Sequence, residues 1–184
     1  MNELSLHILD ICQNSIKANS TLIEIIVNEA IKNNLFEIII KDNGSGMNKK
    51  TLSEVADPFF TTRTTRKIGM GVSLFKMAAE MTEGSFDIQS QINKGTTVKA
   101  VFKHNHIDRA PLGIIEETIS ILVLNEANID IYYEHNFNNQ KFIFDTREVK
   151  KVLDGISFTN YDVIMWIKNN IKEGIFDIHK EETQ

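Results

Sequence analysis

The sequence predicts an α+β fold in which helices cover one face of a mixed or antiparallel sheet. Helical spacing of apolar residues from Asn2 to Ala18 is the first observation that predicts it. The second is a pair of β-branched runs, Leu22 to Val27 and Leu35 to Ile40. The third is a helical stretch ending near Thr82, followed by two alternating segments, Ser85 to Gln91 and Thr96 to Lys103. This order places two strands after each helix, as a helix layer on a sheet requires.

The first predicted helix divides into two faces. On a wheel of 100° per residue its apolar side chains fall within about 160° of arc, and a polar group shares roughly 80° on the other side. The apolar residues are Leu4, Ile8, Leu9, Ile11, Cys12 and Ile16. The polar residues are His7, Asp10, Asn14 and Lys17. One face therefore packs against a core while the other presents polar chemistry.

Shorter elements and a C-terminal part complete the chain. Asn33-Asn34 predicts a hairpin turn, and Asn48 predicts the cap of a short helix that ends near Val55. After His104 the sequence predicts a helix, a hairpin and two helices: Pro111 to Leu124, Ile129 to Tyr133 with Lys141 to Phe144, Thr146 to Leu153, and Tyr161 to Ile171. His179 to Gln184 are expected to fray.

The only candidate domain boundary is the short segment after His104. We therefore expect one domain at residues 1–104 and a small helix-hairpin-helix module at residues 105–184. The joining segment is short, so the two parts are expected to pack together. In the C-terminal part, apolar residues such as Ile119 and Trp166 either close a small core, the favoured interpretation, or present a docking face.

Composition argues against several classes of protein. The net charge of −5 disfavours a nucleic-acid surface, which needs clustered Lys and Arg. Apolar runs such as Ile119 to Leu124 are too short to span a bilayer, and the start Met1-Asn2-Glu3-Leu4 has no basic region before an apolar one. Cys12 is the only cysteine, so no internal disulfide forms. These features favour a cytoplasmic protein without a membrane segment.

The stretch Asp42-Asn43-Gly44-Ser45-Gly46-Met47 follows the apolar run Phe36 to Ile40. Glycine tolerates positive φ and has no Cβ, so two glycines after an acid suit the floor of a pocket for a flat ligand. An ordinary Asn-Gly turn at the end of a strand is an equally good interpretation of these six residues alone. Other segments of the chain favour the pocket.

Together these segments resemble the ATP-binding boxes of the GHKL superfamily, which includes gyrase, heat-shock chaperones, histidine kinases and MutL. Asp10 to Ala18 resembles the N box and Asp42 to Met47 the first glycine box. Pro58 to Arg63 resembles the F box, Gly69 to Lys76 the second glycine box, and Gly95-Thr96-Thr97 the late glycine-threonine pair. The F box and the short loop after it resemble the histidine-kinase branch. The resemblance implies a Bergerat-type two-layer sandwich.

The resemblance implies ATP and Mg²⁺ as ligands and assigns roles at the N box and the first glycine box. Asn14 would give its amide oxygen to Mg²⁺ bridging the phosphates, and Lys17, one turn further, would reach the phosphates. Asp42 would accept the exocyclic amine of adenine, while Gly44 and Gly46 let the ring approach backbone. For Lys17 a simple solvated lysine is an equal alternative.

Further residues are implied by the later boxes. Gly69 and Gly71 would offer helix N-terminal N–H groups to phosphate oxygens. Arg63 and Lys67 would neutralise the phosphate tail, and the hydroxyl of Thr97 would lie near adenine, with a plain strand residue as its alternative. Met47 and Val72, within the two glycine boxes, complete the implied nucleotide-binding set.

The chain departs from the family pattern at two places. Asp10 stands four residues before Asn14, where many relatives place a glutamate, so it is a candidate general base with a shorter reach. A sensor histidine kinase also carries a phosphoacceptor hairpin ahead of the ATP domain, and this chain starts inside the N box. We therefore expect no autophosphorylation on histidine in the usual manner. Stand-alone domains that resemble this one occur among anti-sigma serine kinases, which phosphorylate a partner.

Two functional hypotheses follow. The first is a bacterial signalling protein that binds Mg-ATP and phosphorylates or regulates an unidentified protein partner, as an ATP-dependent protein kinase or slow ATPase. The second is a nucleotide-gated interaction module without productive catalysis. A scaffold that binds no nucleotide is disfavoured, because the acid and glycines would then have little reason to coincide. Both hypotheses leave a homo-oligomer open.

Overall fold

The computed structural model describes residues 3–55, 71–125 and 129–180. Its helices are α1 (Leu4–Lys17), α2 (Lys49–Val55), α3 (Gly71–Glu80), α4 (Ile115–Asn125), α5 (Thr146–Leu153) and α6 (Tyr161–Lys180). Its strands are β1 (Leu22–Ala30), β2 (Leu35–Asp42), β3 (Ser85–Gln91), β4 (Gly95–Lys103), β5 (Asp130–Phe137) and β6 (Gln140–Asp145). A turn of 3₁₀ helix at Ile31–Asn33 joins β1 to β2.

The strands form one sheet in the order β3-β4-β2-β1-β5-β6. All neighbouring pairs are antiparallel except β1 and β5, which run parallel. Ile23 pairs with Asp42 on one side and with Ile131 on the other, so β1 lies in the middle of the sheet. The predicted α+β class with a mixed sheet is confirmed.

One face of the sheet is buried under helices. Residues alternate along each strand, so Ile23, Ile25 and Val27 of β1 point to the same side and are fully buried. On the other side the side chains are polar and paired across strands, as in Lys41–Glu24 at 3.1 Å and Lys99–Glu37 at 2.6 Å. The fold therefore has two layers, one sheet and one layer of helices, and the core lies between them.

The N-terminus of α1 determines where α4 begins. The backbone N–H groups of Leu4 and Ser5 donate to the carbonyls of Pro111 (2.9 Å) and Leu112 (2.8 Å), which caps the first turn of α1. Gly113 follows with φ of +83°. The helix predicted to start at Pro111 therefore starts at Ile115, because the residues before it are extended against α1.

The last helix is longer than the sequence predicted. Periodicity indicated an end near Ile171, but α6 continues to Lys180 and buries Ile178 against the rest of the fold. Expected fraying of His179 is wrong, since its Nδ1 bonds to the carbonyl of Ile175 at 2.7 Å inside the helix. Residues 181–184 lie outside the described part.

The C-terminal strands extend the same sheet as the N-terminal ones. The pairing of β5 with β1 runs over eight residue pairs, from Leu22–Asp130 to Glu29–Phe137. The sheet therefore has no break at residue 104, and the division into domains 1–104 and 105–184 stays a prediction. In the described ranges, no helix is both long and apolar enough to cross a membrane.

Candidate functional site

A cleft of about 710 Å³ opens where α1, the end of β2 and the start of α3 meet. Asp42 lies on its floor with the neighbouring residues of the first glycine box, and the last turn of α1 forms one wall. The described residues that line it are Ile11, Asn14, Ser15, Lys17, Ala18, Ile40, Asp42, Ser45, Gly46, Met47, Thr51, Val55, Val72, Ile88, Thr96 and Val98. One polar floor between apolar walls is typical of a small-molecule site.

Asp42 is the last residue of β2 and is only 8% exposed. Its Oδ1 accepts hydrogen bonds from the backbone N–H of Gly44 at 2.8 Å and of Thr96 at 3.3 Å. Its Oδ2 accepts from the hydroxyl of Ser15 at 2.8 Å. Three donors from three parts of the chain therefore hold the carboxylate in place on the floor of the cleft.

Ser15 is a site residue that sequence reasoning missed. It is buried in α1, and the carbonyl of Ser15 in turn accepts from the hydroxyl of Ser20 at 2.7 Å. A helical wheel places Ser15 among the apolar residues of α1, so only its contact with Asp42, 27 residues away, reveals its role. The available signal was its place inside the N box, directly after Asn14.

The first glycine box forms a tight loop beneath the cleft. Gly46 has φ of +63°, and a Cβ there would overlap the carbonyl of Gln91, so only glycine fits. Gly44 packs against Ala18, and a Cβ there would lie 2.8 Å from the carbonyl oxygen of Ala18. The backbone N–H of Met47 donates to Ser90 at 2.8 Å. The loop is thereby fastened to α1 and to β3.

Asn43 has a structural task in this loop. Its Oδ1 accepts from the backbone N–H groups of Thr21 (2.8 Å) and Leu22 (3.0 Å), and its Nδ2 donates to the hydroxyl of Thr21. The exposed Asn43 thus ties the end of β2 to the start of β1, away from the cleft.

Asn14 and Lys17 both line the cleft, as the sequence predicted for the polar face of the first helix. Asn14 is half-buried and Lys17 is exposed, so an amide oxygen and a mobile ammonium stand one turn apart at the rim. This pair lies beside the Asp42 floor. The arrangement suits a ligand with a planar polar group at one end and negative charge at the other.

Asp10 and Gly71 lie against each other at the start of α3. A Cβ at Gly71 would be 2.8 Å from the Cβ of Asp10, so the close approach depends on glycine. Val72, the next residue, lines the cleft, whereas Asp10 is not among the described residues that do. A carboxylate near a helix N-terminus is favoured by the helix dipole. Asp10 therefore packs against Gly71, and its role as a general base stays a prediction.

The structure does not bring Thr97 to the cleft. Alternation along β4 turns Thr97 to the open face of the sheet, opposite Lys41 of β2. Thr96, paired with Asp42, lines the cleft instead, and its hydroxyl hydrogen-bonds with that of Ser90 at 2.9 Å. The hydroxyl in the cleft is thus one residue earlier than expected, because Thr96 shares the face of the buried Val98 and Ala100.

His7 is buried rather than part of a polar surface. Its ring stacks on Phe75 with centroids 5.3 Å apart, and its Nδ1 has no hydrogen-bond partner among the described residues. Burial lowers the pKa of His7 to about 4, so the ring is neutral at pH 7. The helical wheel placed His7 with Asp10 and Asn14, but α3 covers that end of the helix.

Three predicted ligand residues lie outside the described part of the chain. They are Arg63, Lys67 and Gly69, and the F-box segment Pro58 to Arg63 lies there with them. Their assigned contacts with phosphate therefore stay predictions.

Comparison with known proteins matches the chain to one family. The family described as histidine kinase-, DNA gyrase B- and HSP90-like ATPase matches residues 2–106. A candidate sensor protein of Shewanella frigidimarina is 37% identical over 97 residues, which are 52% of this chain and 15% of that protein. Sensor histidine kinase YvrG of Bacillus subtilis is 28% identical over 95 residues, 49% of this chain and 16% of that protein. The matched part therefore spans only about one sixth of the length of these relatives.

A solved structure shares the fold over most of the chain. It is the N-terminal domain of a DNA repair protein, with a TM-score of 0.52 and 18% sequence identity. The match covers 78% of this chain and 52% of that chain. At this identity the likeness concerns the fold alone.

Proposed function

We propose that the cleft of this chain, which belongs to the family of histidine kinase-, DNA gyrase B- and HSP90-like ATPases, binds ATP together with Mg²⁺. The observation that carries the proposal is the Asp42 carboxylate, which is 8% exposed, held by three donors and set in the floor of the cleft. A buried carboxylate held in this way is an acceptor for a ligand N–H. The exocyclic amine of adenine supplies one.

The walls of the cleft suit the adenine ring. Ile40, Val98 and Ile88 come from three neighbouring strands, and Met47 and Val72 stand at the loop and helix that border them. Apolar side chains on both sides favour a flat ring by removing its faces from water. Gly46 lets the glycine loop lie close to Gln91, beneath the cleft, so that the loop does not fill the cleft. The shape and the polarity of the cleft therefore both suit a planar base.

Asn14 and Lys17 at the rim support a triphosphate. Mg²⁺ prefers oxygen ligands and is often held by one or two protein groups plus substrate phosphates. The side-chain amide of Asn14 offers such an oxygen, so the residues present fit the ion, which when bound would neutralise phosphate charge. Lys17 would add a point charge. Arg63, Lys67, Gly69 and Gly71 belong to the proposed phosphate site on the evidence of the sequence and family alone.

We place this ATP site in a regulatory protein because the matched relatives are named as sensor proteins and sensor kinases. Two modes of action are compatible with the site. In one, the γ-phosphoryl is transferred to a protein partner or water with Asp10 as general base. In the other, ATP and ADP only switch the conformation that a partner protein binds. Asp10 lies close to Gly71 at the start of α3, and this packing is compatible with either mode.

Isothermal titration calorimetry with ATP, with and without Mg²⁺, tests the binding site. We expect saturable binding that Mg²⁺ strengthens. For Asp42→Asn we expect a loss of about five- to 150-fold in affinity, because the exocyclic amine of adenine would then face an amide NH₂ group, which donates, instead of a carboxylate oxygen, which accepts. Asp87→Asn on the open sheet face is the matched control and leaves binding unchanged. Equal affinity for Asp42→Asn and wild type would disprove the assignment of the cleft.

ADP release in the presence of Mg-ATP separates the two modes of action. If Asp10 is a general base, Asp10→Asn lowers the rate by about 10²- to 10⁴-fold while ATP affinity stays the same. If the protein is a nucleotide-gated module, the wild type binds ATP yet releases no ADP above the uncatalysed rate. An unchanged, measurable rate in Asp10→Asn would keep the catalytic mode but remove Asp10 from it.

A further inference from the structure

A second cluster of functional side chains lies at the far end of β1 from the cleft. Glu29 of β1, His135 of β5 and His179 of α6 each direct one ligand-type atom to a common point, and these atoms all lie within 4.8 Å of one another. We propose that Glu29, His135 and His179 form a binding site for a divalent transition-metal ion such as Zn²⁺. Two imidazoles and one carboxylate are ligands that Zn²⁺ accepts in proteins.

Distances between the ligand atoms suit a tetrahedral ion. Bonds of about 2.0–2.2 Å at a tetrahedral angle separate two ligand atoms by about 3.3–3.6 Å. Oε1 of Glu29 is 2.8 Å from Nε2 of His135 and 3.4 Å from Nε2 of His179. The separation to His179 therefore fits a shared ion as it stands, and the separation to His135 fits after an opening of about half an ångström.

Each of the three ligands is oriented by a partner behind it. Nδ1 of His179 bonds to the carbonyl of Ile175 at 2.7 Å, and Nδ1 of His135 bonds to the hydroxyl of Tyr133 at 2.7 Å. These bonds turn the Nε2 atoms of both rings towards Glu29. Metal-binding histidines characteristically use their other ring nitrogen in this way.

The carboxylate has a partner of its own. Oε2 of Glu29, the oxygen that faces away from the cluster, is 2.9 Å from Nε2 of His104. His104 follows the end of β4, so the outer oxygen is fixed while Oε1 is directed to His135 and His179. His104 is thus a positioning residue for the ligand set. Side chains from β1, β5, α6 and the segment after β4 therefore meet at this point. Packing of the core does not by itself require ionisable side chains to meet.

The site is sheltered but has an access route. The side chain of His135 is fully buried, that of Glu29 is 11% exposed and that of His179 is 35% exposed. His179 also lines a cleft of about 610 Å³ between α4 and α6, with Leu112, Glu116 and Phe176 among its other walls. An ion can therefore reach His179 from solvent through that cleft.

Metal binding here would hold the end of α6 on the sheet. Glu29 and His135 lie on neighbouring strands, whereas His179 stands in the last turn of a 20-residue helix. A ligand that binds only the assembled site stabilises the folded state by mass action. An ion at this point would thus raise the melting temperature through the α6 contact. A cluster that is only a hydrogen-bonded network would give no such response.

Titration of the chelator-treated full-length protein with Zn²⁺, and with Co²⁺ followed by visible absorption, tests the site. We expect one ion per chain, Co²⁺ bands typical of four-coordination, and a higher melting temperature with Zn²⁺. His179→Gln and Glu29→Gln should each weaken Zn²⁺ binding at least tenfold. His106→Ala removes a histidine outside the cluster and should bind as the wild type does.

His179→Gln is the decisive variant, because His179 is the most exposed of the three ligands and stands in the last turn of α6, where we expect the substitution to leave the fold intact. His104→Gln should weaken binding by a smaller factor, as a positioning residue does. Absence of saturable binding by the wild type would overturn the proposal. Binding of equal affinity in wild type, His179→Gln and Glu29→Gln would overturn it as well, since the ion would then occupy another place.

Discussion

Single residues in this protein depend on partners far away in the chain. Asp42 is held by Ser15 from α1 and by the backbone of Thr96 from β4, so its position depends on three elements. Residue type indicated that an acid mattered at position 42. The donors that orient it could not be inferred, because hydrogen bonds between residues 27 and 54 positions apart follow from packing.

Ser15→Ala tests whether this support matters for binding. The substitution removes the hydroxyl that donates to Oδ2 of Asp42, so we expect ATP affinity to fall about tenfold, the equivalent of one hydrogen bond to a charged group. Calorimetric titration measures it. Ser120→Ala is the control, because Ser120 is also buried in a helix but donates to Glu116 in α4. Unchanged affinity in Ser15→Ala would show that the other two donors suffice.

His7 predicts how stability depends on pH. Its pKa is about 4 in the folded protein and about 6.5 in the unfolded chain, so the unfolded state binds more protons between these values. The free energy of unfolding therefore rises with pH across that window, by up to about 1.4 kcal/mol per pH unit from this residue. Urea unfolding at several pH values should show a shallower slope for His7→Leu. An identical slope in both proteins would contradict the assignment.

At the scale of elements, local pattern predicted most of the regular structure. Strand β3 and helix α5 have the predicted bounds, and α1, β1 and β2 agree within a few residues. The errors occur where another element intervenes. Pro111 and Leu112 leave the helical pattern because their carbonyls cap α1, and α6 extends past Ile171 because its last turns pack on the sheet.

Gly174 tests the contact between α6 and the sheet. In a helix Ala is favoured over Gly by about 1 kcal/mol, but a Cβ at position 174 would overlap the ring of Phe142 in β6. We therefore expect Gly174→Ala to destabilise the wild type and to stabilise the Phe142→Ala background. Urea unfolding of the four proteins gives the double-mutant cycle. Additive effects on the free energy of unfolding would show that positions 174 and 142 do not interact.

At the scale of the whole molecule, β1 connects two proposed sites. Ile23 pairs with Asp42 beside the ATP cleft, and Glu29 lies six residues further, about 20 Å along the strand. The same strand pairs with β2 from the first part of the chain and with β5 from the second. The two predicted domains therefore share the centre of one sheet.

This shared sheet predicts a single cooperative unfolding transition. Trp166, the only tryptophan, stands in α6 and reports the C-terminal part, while far-UV circular dichroism reports the whole protein. We expect thermal transitions measured by the two probes to coincide. Separate midpoints would support the boundary at residue 104 as a division between independently folding units.

The sequence by itself determined the α+β class and most of the elements, and the resemblance of its boxes to a known family implied a nucleotide site at Asn14, Lys17, Asp42 and Gly46. It could do so because periodicity, turn chemistry and box spacing are local properties. Only the tertiary structure decided that Ser15 supports Asp42 and that Glu29, His135 and His179 meet. These are consequences of strand register and helix docking, which depend on contacts between distant residues that no local pattern contains.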